Sequence, residues 1–425
     1  VPQLPFELAA LPHRLLKWLR LPVVSYALPA LIAIGQARHH KCPTRNPVAW
    51  VLRWLTRRGT LRKLSNIQPE GGGFLEAAPL TSFVVMSLAA IGKAGSDVVS
   101  RGVTFLAESV RDDGSWPIDT NLATWVTTLS VNALAANPDF HEALPDAARG
   151  KVREWLLGQQ YRREHPYTHA DPGGWAWTDC PGGVPDADDT AGALLALRGL
   201  GPMGARTSEA AKAGVVWLAD LQNRDGGMPT FCRSWGTLPF DRSGADLTAH
   251  ALLAIAQWLD DLPPALSRRA RGAIERGLEY LRNSQRSDGS WVPLWFGNQS
   301  APGLENPTYG TARVVAALAE LAARGFAAAA EMSAKGAAWL VSAQNSGGGW
   351  GGAPSVASSI EETAIAVDAL ARFRAGQGDG SSPASDLPPS AGDLDAAISR
   401  GASWLVEHTE RGKRWHPSPI GFYFA

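Results

Sequence analysis

Three carboxylates stand within four residues at Asp186-Ala-Asp188-Asp189, the most compact offer of chemistry in the chain. They end the loop Gly174-Trp-Ala-Trp-Thr-Asp-Cys-Pro-Gly-Gly-Val-Pro and precede Thr190 and the apolar run Ala191-Gly-Ala-Leu-Leu-Ala-Leu. On a solvated surface such a cluster is a capping acid with wet neighbours. A run that is apolar all round marks a buried helix, so these acids are expected to face an interior. Adjacent carboxylates in a dry site cannot all ionise, and one then holds its proton at neutral pH. A carboxyl kept neutral among apolar and aromatic groups is what protonation of an unactivated alkene requires.

A metal reading competes with this one. Three carboxylates can hold Mg²⁺, but no glycine-rich phosphate loop accompanies them. Asp179, Cys180 and His250 lack convincing zinc spacing. The expectation is therefore acid chemistry with no metal and no cofactor.

The elements that must position the acids recur along the chain. Arg101-Gly-Val-Thr-Phe-Leu is followed by Asp113-Gly-Ser-Trp116, and Val152-Arg-Glu-Trp-Leu-Leu by Gly173-Gly-Trp175. Variants of the phrase close at Met228, Trp291, Trp350 and Trp415, so the closing positions are 59, 53, 63, 59 and 65 residues apart. A fainter copy, Gly71-Gly-Gly-Phe74, precedes them. Between closures lie apolar runs that open near Thr120, Thr190, Thr248, Thr311 and Thr363. Hydroxyl residues there are expected to cap orphan helix amides. More amphipathic helices precede each Trp phrase. Paired helices at a fixed period predict an all-α fold, an α/α-barrel of inner helices ringed by outer ones, with an open solenoid as the alternative. Gln amides of the phrase are expected to satisfy loop backbone, with the Trp face covering the turn. The segment 376–392, rich in Ser, Pro and Asp, reads as a surface insertion.

The bulk properties narrow the partners. Lys plus Arg number 40 and Asp plus Glu number 40, which leaves no field for nucleic acid. Three cysteines, Cys42, Cys180 and Cys232, form no disulfide framework and fit a reducing compartment. The Val-Pro-Gln opening and the apolar Phe422-Tyr-Phe ending predict the inner and C-terminal part of something longer. Leu4 to Gly35 is apolar but broken by Pro12, Pro22 and Pro29 and by Arg14, Lys17 and Arg20. Such a segment suits an interfacial position, with Trp18 at the surface, better than a membrane span.

The residues resemble a known family. Asp186-Ala-Asp188-Asp189-Thr-Ala is similar to the Asp-x-Asp-Asp-Thr-Ala motif of squalene-hopene cyclases, which are class II terpene cyclases. The Gln-x-x-x-Gly-x-Trp phrase resembles their QW motif. Trp175-Ala-Trp-Thr-Asp, Asp246-Leu-Thr-Ala-His250, Leu4-Pro-Phe-Glu-Leu-Ala-Ala-Leu-Pro and Gly421-Phe-Tyr-Phe agree as well. The resemblance implies a two-barrel enzyme on the cytoplasmic face of a membrane, bound peripherally, that cyclises squalene or a similar polyprene to a hopene-like product. It divides the chain into residues 1–95, a remnant of the second barrel with the membrane-facing segment, and 96–425, the catalytic barrel. It makes Asp188 the proton donor, Asp186 and Asp189 its carboxylate neighbours, and His250 the imidazole that hydrogen-bonds the acid. Aromatic side chains are expected to bind substrate and stabilise carbocations; the candidates are Trp116, Trp175, Trp177, Phe231, Trp295 and Tyr309. A homodimer is a further expectation.

Three stretches depart from the family pattern: Ala77-Ala-Pro79, Trp291-Val-Pro-Leu-Trp-Phe-Gly-Asn-Gln, and Glu361-Glu-Thr363. They leave open a cyclase of another polyprene or of a prenylated aromatic. A binding module without catalysis is the third reading, although it would have no use for the acid triplet.

Overall fold

The computed structural model describes residues 3–12, 15, 18, 26, 28–166, 168–231, 239–377, 389–414, 416–418 and 420–422. Trp415, Cys232, most of the 376–392 insertion and much of the Leu4–Gly35 stretch, with its three basic residues, lie outside the described residues. The fold is all-α, as expected. Two compact units form, Val1–Trp217 with Phe231–Asp241, and Leu218–Thr230 with Arg242–Ala425.

In the first unit, Leu28–Lys41 packs on Ala78–Ala89, which packs in turn on Asp97–Glu108. Leu28, Ile32, Leu64, Phe74, Val84 and Leu88 form their common core. Further along, Ala187–Leu200 lies against Ala123–Ala135 and against Asp146–Gly158. In the second unit, Ala245–Ala256, Pro307–Ala323 and Ile360–Gly376 pack successively on one another. Each also receives the next helix in sequence, respectively Pro264–Ser284, Ala327–Ser342 and Ala391–His408. Short strands Phe296–Asn298 and Ile420–Phe422 pair antiparallel in this unit.

The recurring phrase closes each pair onto the next. Gln68, Gln160, Gln222, Gln285 and Gln344 each donate through Nε2 to the carbonyl of their own loop glycine: Gly72, Gly173, Gly226, Gly289 and Gly348. The same amide nitrogen donates to a carbonyl of the following outer helix, at Val98, Ala210, Ala273, Met332 and Ala397. Two buried carbonyls are thereby satisfied at each joint, where leaving either one unpaired would cost about 1–3 kcal/mol. Trp175, Trp291 and Trp350 are fully buried and donate their indole N–H to the carbonyls of Leu156, Leu281 and Leu340. Trp116 makes the matching bond to Leu106 but remains 52% exposed. Val110 stands where five copies have Gln, as Thr409 does in the last copy, and no side-chain amide at that position draws the loop in.

The threonines correct one expectation. Thr190, Thr248, Thr311 and Thr363 lie inside the first turn of their helices rather than at the cap. Their hydroxyl oxygens accept the main-chain N–H of Trp175, Met228, Trp291 and Trp350. In three of the four helices the cap is a side chain one turn earlier: Asp186 accepts from Asp189 N–H, Asn306 from Tyr309 N–H, and Ser359 from Glu362 N–H, while Gly244 begins the fourth without one. Thr120 precedes its helix altogether, and its hydroxyl donates to the Glu76 carbonyl. A hydroxyl beside an acid reads as a cap in sequence because its true partner lies 13 to 20 residues away.

Candidate active site

The acid loop starts at Trp175 and ends where the helix Ala187–Leu200 begins. Asp186 N–H donates to the Trp175 carbonyl at 3.0 Å, and the two residues form an isolated antiparallel bridge. Asp186 and Asp189 are each 3% exposed, and Asp188 between them is half-buried. The three carboxylates therefore differ in surroundings although they are adjacent in sequence.

Burial pushes the Asp186 carboxyl well above the usual range, and the charge of Asp188 adds to the rise. The Asp189 N–H that Asp186 accepts at 2.8 Å offsets part of it. Asp189 is also raised well above the usual range, by burial first, then by Asp186, Asp188 and Asp119. Two adjacent buried carboxyls that raise one another favour a shared proton at neutral pH.

Asp119 is a member of this electrostatic group that its sequence neighbours do not reveal. The segment 118–120 pairs with 76–78: Ala78 N–H donates to Ile118 O, and Thr120 N–H to Glu76 O. Burial raises Asp119 to about 6. Because that value exceeds the unfolded 3.8, stability from the protonated form is complete at low pH and is lost as pH rises through about 6. Asp119→Asn is expected to raise the melting temperature at pH 7.5, with the advantage shrinking as pH falls toward 3.8. A pH-independent difference between the two proteins would contradict this account.

The remaining loop contacts are equally specific. The Trp177 carbonyl accepts the N–H groups of Thr124 and Trp125 at 3.0 and 3.1 Å, which satisfies orphan amides at the start of Ala123–Ala135. Gly183 O accepts from the Tyr161 hydroxyl at 2.8 Å and from His165 Nε2 at 2.9 Å. His165 Nδ1 accepts the Thr168 N–H, which puts the ring proton on Nε2. Burial lowers this imidazole to about 4, so it is neutral, and burial raises Tyr161 to about 12. Both side chains come from a long gap: thirteen residues separate Gln160 from Gly173, against four in other copies of the phrase.

Trp177 packs with Ala176 and Val184 and meets Phe231 at 5.8 Å between ring centroids. Phe231 also meets Phe240 at 5.2 Å and Tyr26 at 5.3 Å, and Tyr26 meets Phe240 edge-on at 4.5 Å. Tyr26 and Phe240 escaped the sequence reading because they are remote from the acid loop along the chain. The first unit thus gathers Asp186, Asp188, Asp189, Trp175, Trp177 and Phe231. Within it Trp175 holds the loop-closing position, as does the half-exposed Trp116. His250, Trp295 and Tyr309 belong to the second unit. His250 is half-buried on Ala245–Ala256, one turn after the buried Asp246. Trp295 donates to Thr230 Oγ1 at 2.8 Å, and Tyr309 lies 4.8 Å from the Phe296 ring.

Two of the departures from the family pattern meet in that unit. The buried Glu362 accepts from Asn298 Nδ2 at 2.6 Å and Asn306 Nδ2 at 2.9 Å through Oε1, and from the Ser359 hydroxyl at 2.6 Å through Oε2. Glu362 thus ties the 291–299 stretch to the 361–363 helix start by hydrogen bonds.

Among the described residues no group of His, Cys, Asp and Glu is arranged to hold a metal ion, and no helix is long and apolar enough to cross a membrane. The chain is 30% identical over 372 residues to a terpene cyclase–glycosyl transferase fusion protein of Humicola fuscoatra, covering 77% of this chain and 26% of that protein. It is 31% identical over 235 residues to the squalene–hopene cyclase of Alicyclobacillus acidocaldarius, covering 49% of this chain and 33% of that enzyme. The chain thus spans about a quarter to a third of the length of these curated relatives. An α/α-barrel, the ent-copalyl diphosphate synthase from Streptomyces platensis, shares the fold, with a TM-score of 0.56 at 22% identity over 96% of this chain and 76% of that one. Residues 122–421 match the squalene-hopene cyclase C-terminal domain, and with the acid triplet inside that span the chain belongs to the squalene-hopene cyclase family of class II terpene cyclases.

Proposed function

We propose that this chain carries the proton-donating barrel of a cyclase that protonates an alkene of squalene or a related polyprene and drives carbocation polycyclisation to a hopene-like product. The observation that supports it is the contrast between the buried pair Asp186 and Asp189 and the half-buried Asp188. Asp188 is the donor in this reading. A proton retained by the pair removes one negative charge beside Asp188, which makes Asp188 a stronger acid than it would be between two carboxylates. His250, by the family resemblance, hydrogen-bonds the acid. Trp177 and Phe231, which meet Tyr26 and Phe240, are cation-stabilising faces in this reading, and the family resemblance adds Trp295 and Tyr309 as substrate-binding residues. Residues 96–425 form the catalytic domain in this proposal. The deciding experiment is extraction of cyclised lipid from cells that express the full-length gene, beside the Asp188→Asn variant.

Squalene is insoluble in water, so the proposal includes a membrane surface as partner. The helix Pro47–Ile67 supplies a candidate contact. Its first half exposes Val48, Trp50, Val51, Leu52, Trp54 and Leu55, and its second half exposes Arg57, Arg58 and Arg62. An apolar tip with Trp and a basic collar suits insertion among anionic headgroups. Trp50→Ser with Trp54→Ser is expected to weaken binding to phosphatidylserine vesicles about tenfold or more. Unchanged flotation of the double variant would remove this helix from the membrane contact.

A further inference from the structure

The turn Gly182-Gly183, three residues before Asp186, is held from both sides by groups outside the acid motif. Its carbonyl at Gly183 is occupied by Tyr161 and His165. Its amide at Gly182 donates to Glu76 Oε1 at 2.8 Å, across 106 positions of sequence. Glu76 is 5% exposed, an unusual place for a carboxylate that accepts from a backbone amide. The backbone reaches this position under strain. Leu75 has φ 58 and Glu76 φ 51, two successive non-glycine residues in the left-handed region, at about 1–2 kcal/mol each. Hydrogen bonds from the Thr120 main-chain N–H and from its side-chain hydroxyl to Glu76 O pin the strained pair. The approach is also tight: a Cβ at Gly182 would come within 2.4 Å of Glu76 Oε1. Strain retained beside a reactive group points to a use for the geometry it enforces.

We propose that Glu76 is a positioning residue for the acid: by holding the Gly182 amide it sets where the helix bearing Asp186, Asp188 and Asp189 begins. It touches the loop and none of the reacting atoms. The inference rests on the cyclase reading for its kinetic arm alone. Burial raises the carboxyl of Glu76 while the Gly182 amide opposes the rise, as a carboxylate retained for its acceptor would show.

The test compares Glu76→Gln, Glu76→Asp and Glu76→Ala in the full-length enzyme. Gln keeps an acceptor oxygen at the same reach, Asp keeps the charge and loses the reach, and Ala loses both. Turnover of squalene is measured together with deuterium exchange of the peptide spanning 178–186. For Ala and Asp we expect kcat to fall up to about a hundredfold with KM nearly constant, the size of effect that an ångström of misplacement produces. Exchange in that peptide should speed up about tenfold or more, while peptides of Ala245–Ala256 stay protected. Gln should stay within about threefold of wild type in both measurements. If Asp matches wild type while Gln matches Ala, charge rather than reach matters and the positioning role is overturned. Unchanged exchange in Glu76→Ala overturns it too. A wild-type enzyme inert toward polyprenes would sink the cyclase reading, and the exchange data would still decide Glu76.

Discussion

Asp188→Asn is expected to abolish cyclisation, by about a thousandfold or more, while the variant keeps the melting temperature and helix content of the wild type. The amide is nearly isosteric with the acid but has no proton to give, so the loss falls on the initiating step. Asp188 is half-buried and is not the helix cap; that role belongs to Asp186. Removing its charge therefore leaves the helix start intact. It also removes a charge that raises both Asp186 and Asp189, which eases the burial of the pair. The contrasting variant is Asp186→Ala, which removes the cap oxygen that accepts from Asp189 N–H, so stability should fall as well. Normal product formation by Asp188→Asn in the full-length enzyme would end the acid assignment. Equal damage to fold and activity would mean that the residue is structural.

The acids and their helix were legible because the information is contiguous: three carboxylates, then an apolar run, in one stretch of chain. The helical pairing was legible because it repeats. What surrounds the acids was not. Glu76 and Asp119 reach the site only because 76–78 pairs with 118–120, and short irregular pairings have no periodicity to read. Tyr161 and His165 left one trace, the lengthened gap between Gln160 and Gly173. The aromatic residues were ambiguous for a different reason. Trp175 and Trp177 are two positions apart, yet one closes a repeat and the other faces Phe231. Residue type alone carries no mark of that difference.

The second large effect concerns Gly226→Ala. At φ +89 an L-residue is strained, and the added Cβ would lie 2.2 Å from the Arg276 carbonyl oxygen and 2.8 Å from its carbon. Backbone, rather than a flexible side-chain end, must move. The left-handed penalty is about 1–2 kcal/mol and the overpacking about 1–3 kcal/mol, so a loss of about 2–5 kcal/mol is expected. The Gln222 bridge is exposed to the same displacement, since its Nε2 donates to Gly226 O and Ala273 O. Gly114 is the internal control. It has φ +79 in the copy of the phrase with Val110 in place of Gln, and a Cβ there meets nothing within 4 Å. Gly114→Ala should cost about 1–2 kcal/mol, the conformational part alone. Denaturant melts of both variants measure the difference, and equal losses would show that the close approach at Gly226 relaxes freely.

The bridging glutamines also bear on how far such a chain can diverge. Every acceptor they use is a main-chain carbonyl, supplied in turn by Val98, Ala210, Ala273, Met332 and Ala397. A carbonyl is common to all residues, so the amide nitrogen reads the path of the next helix, while at two joints Arg276 and Arg400 of that helix also donate to the Oε1 of Gln222 and Gln344. Where the glutamine is present, it ties successive repeats in register through main-chain atoms of the next helix. Selection on the residues that shape a product then meets little resistance from the scaffold, because the two draw on different atoms.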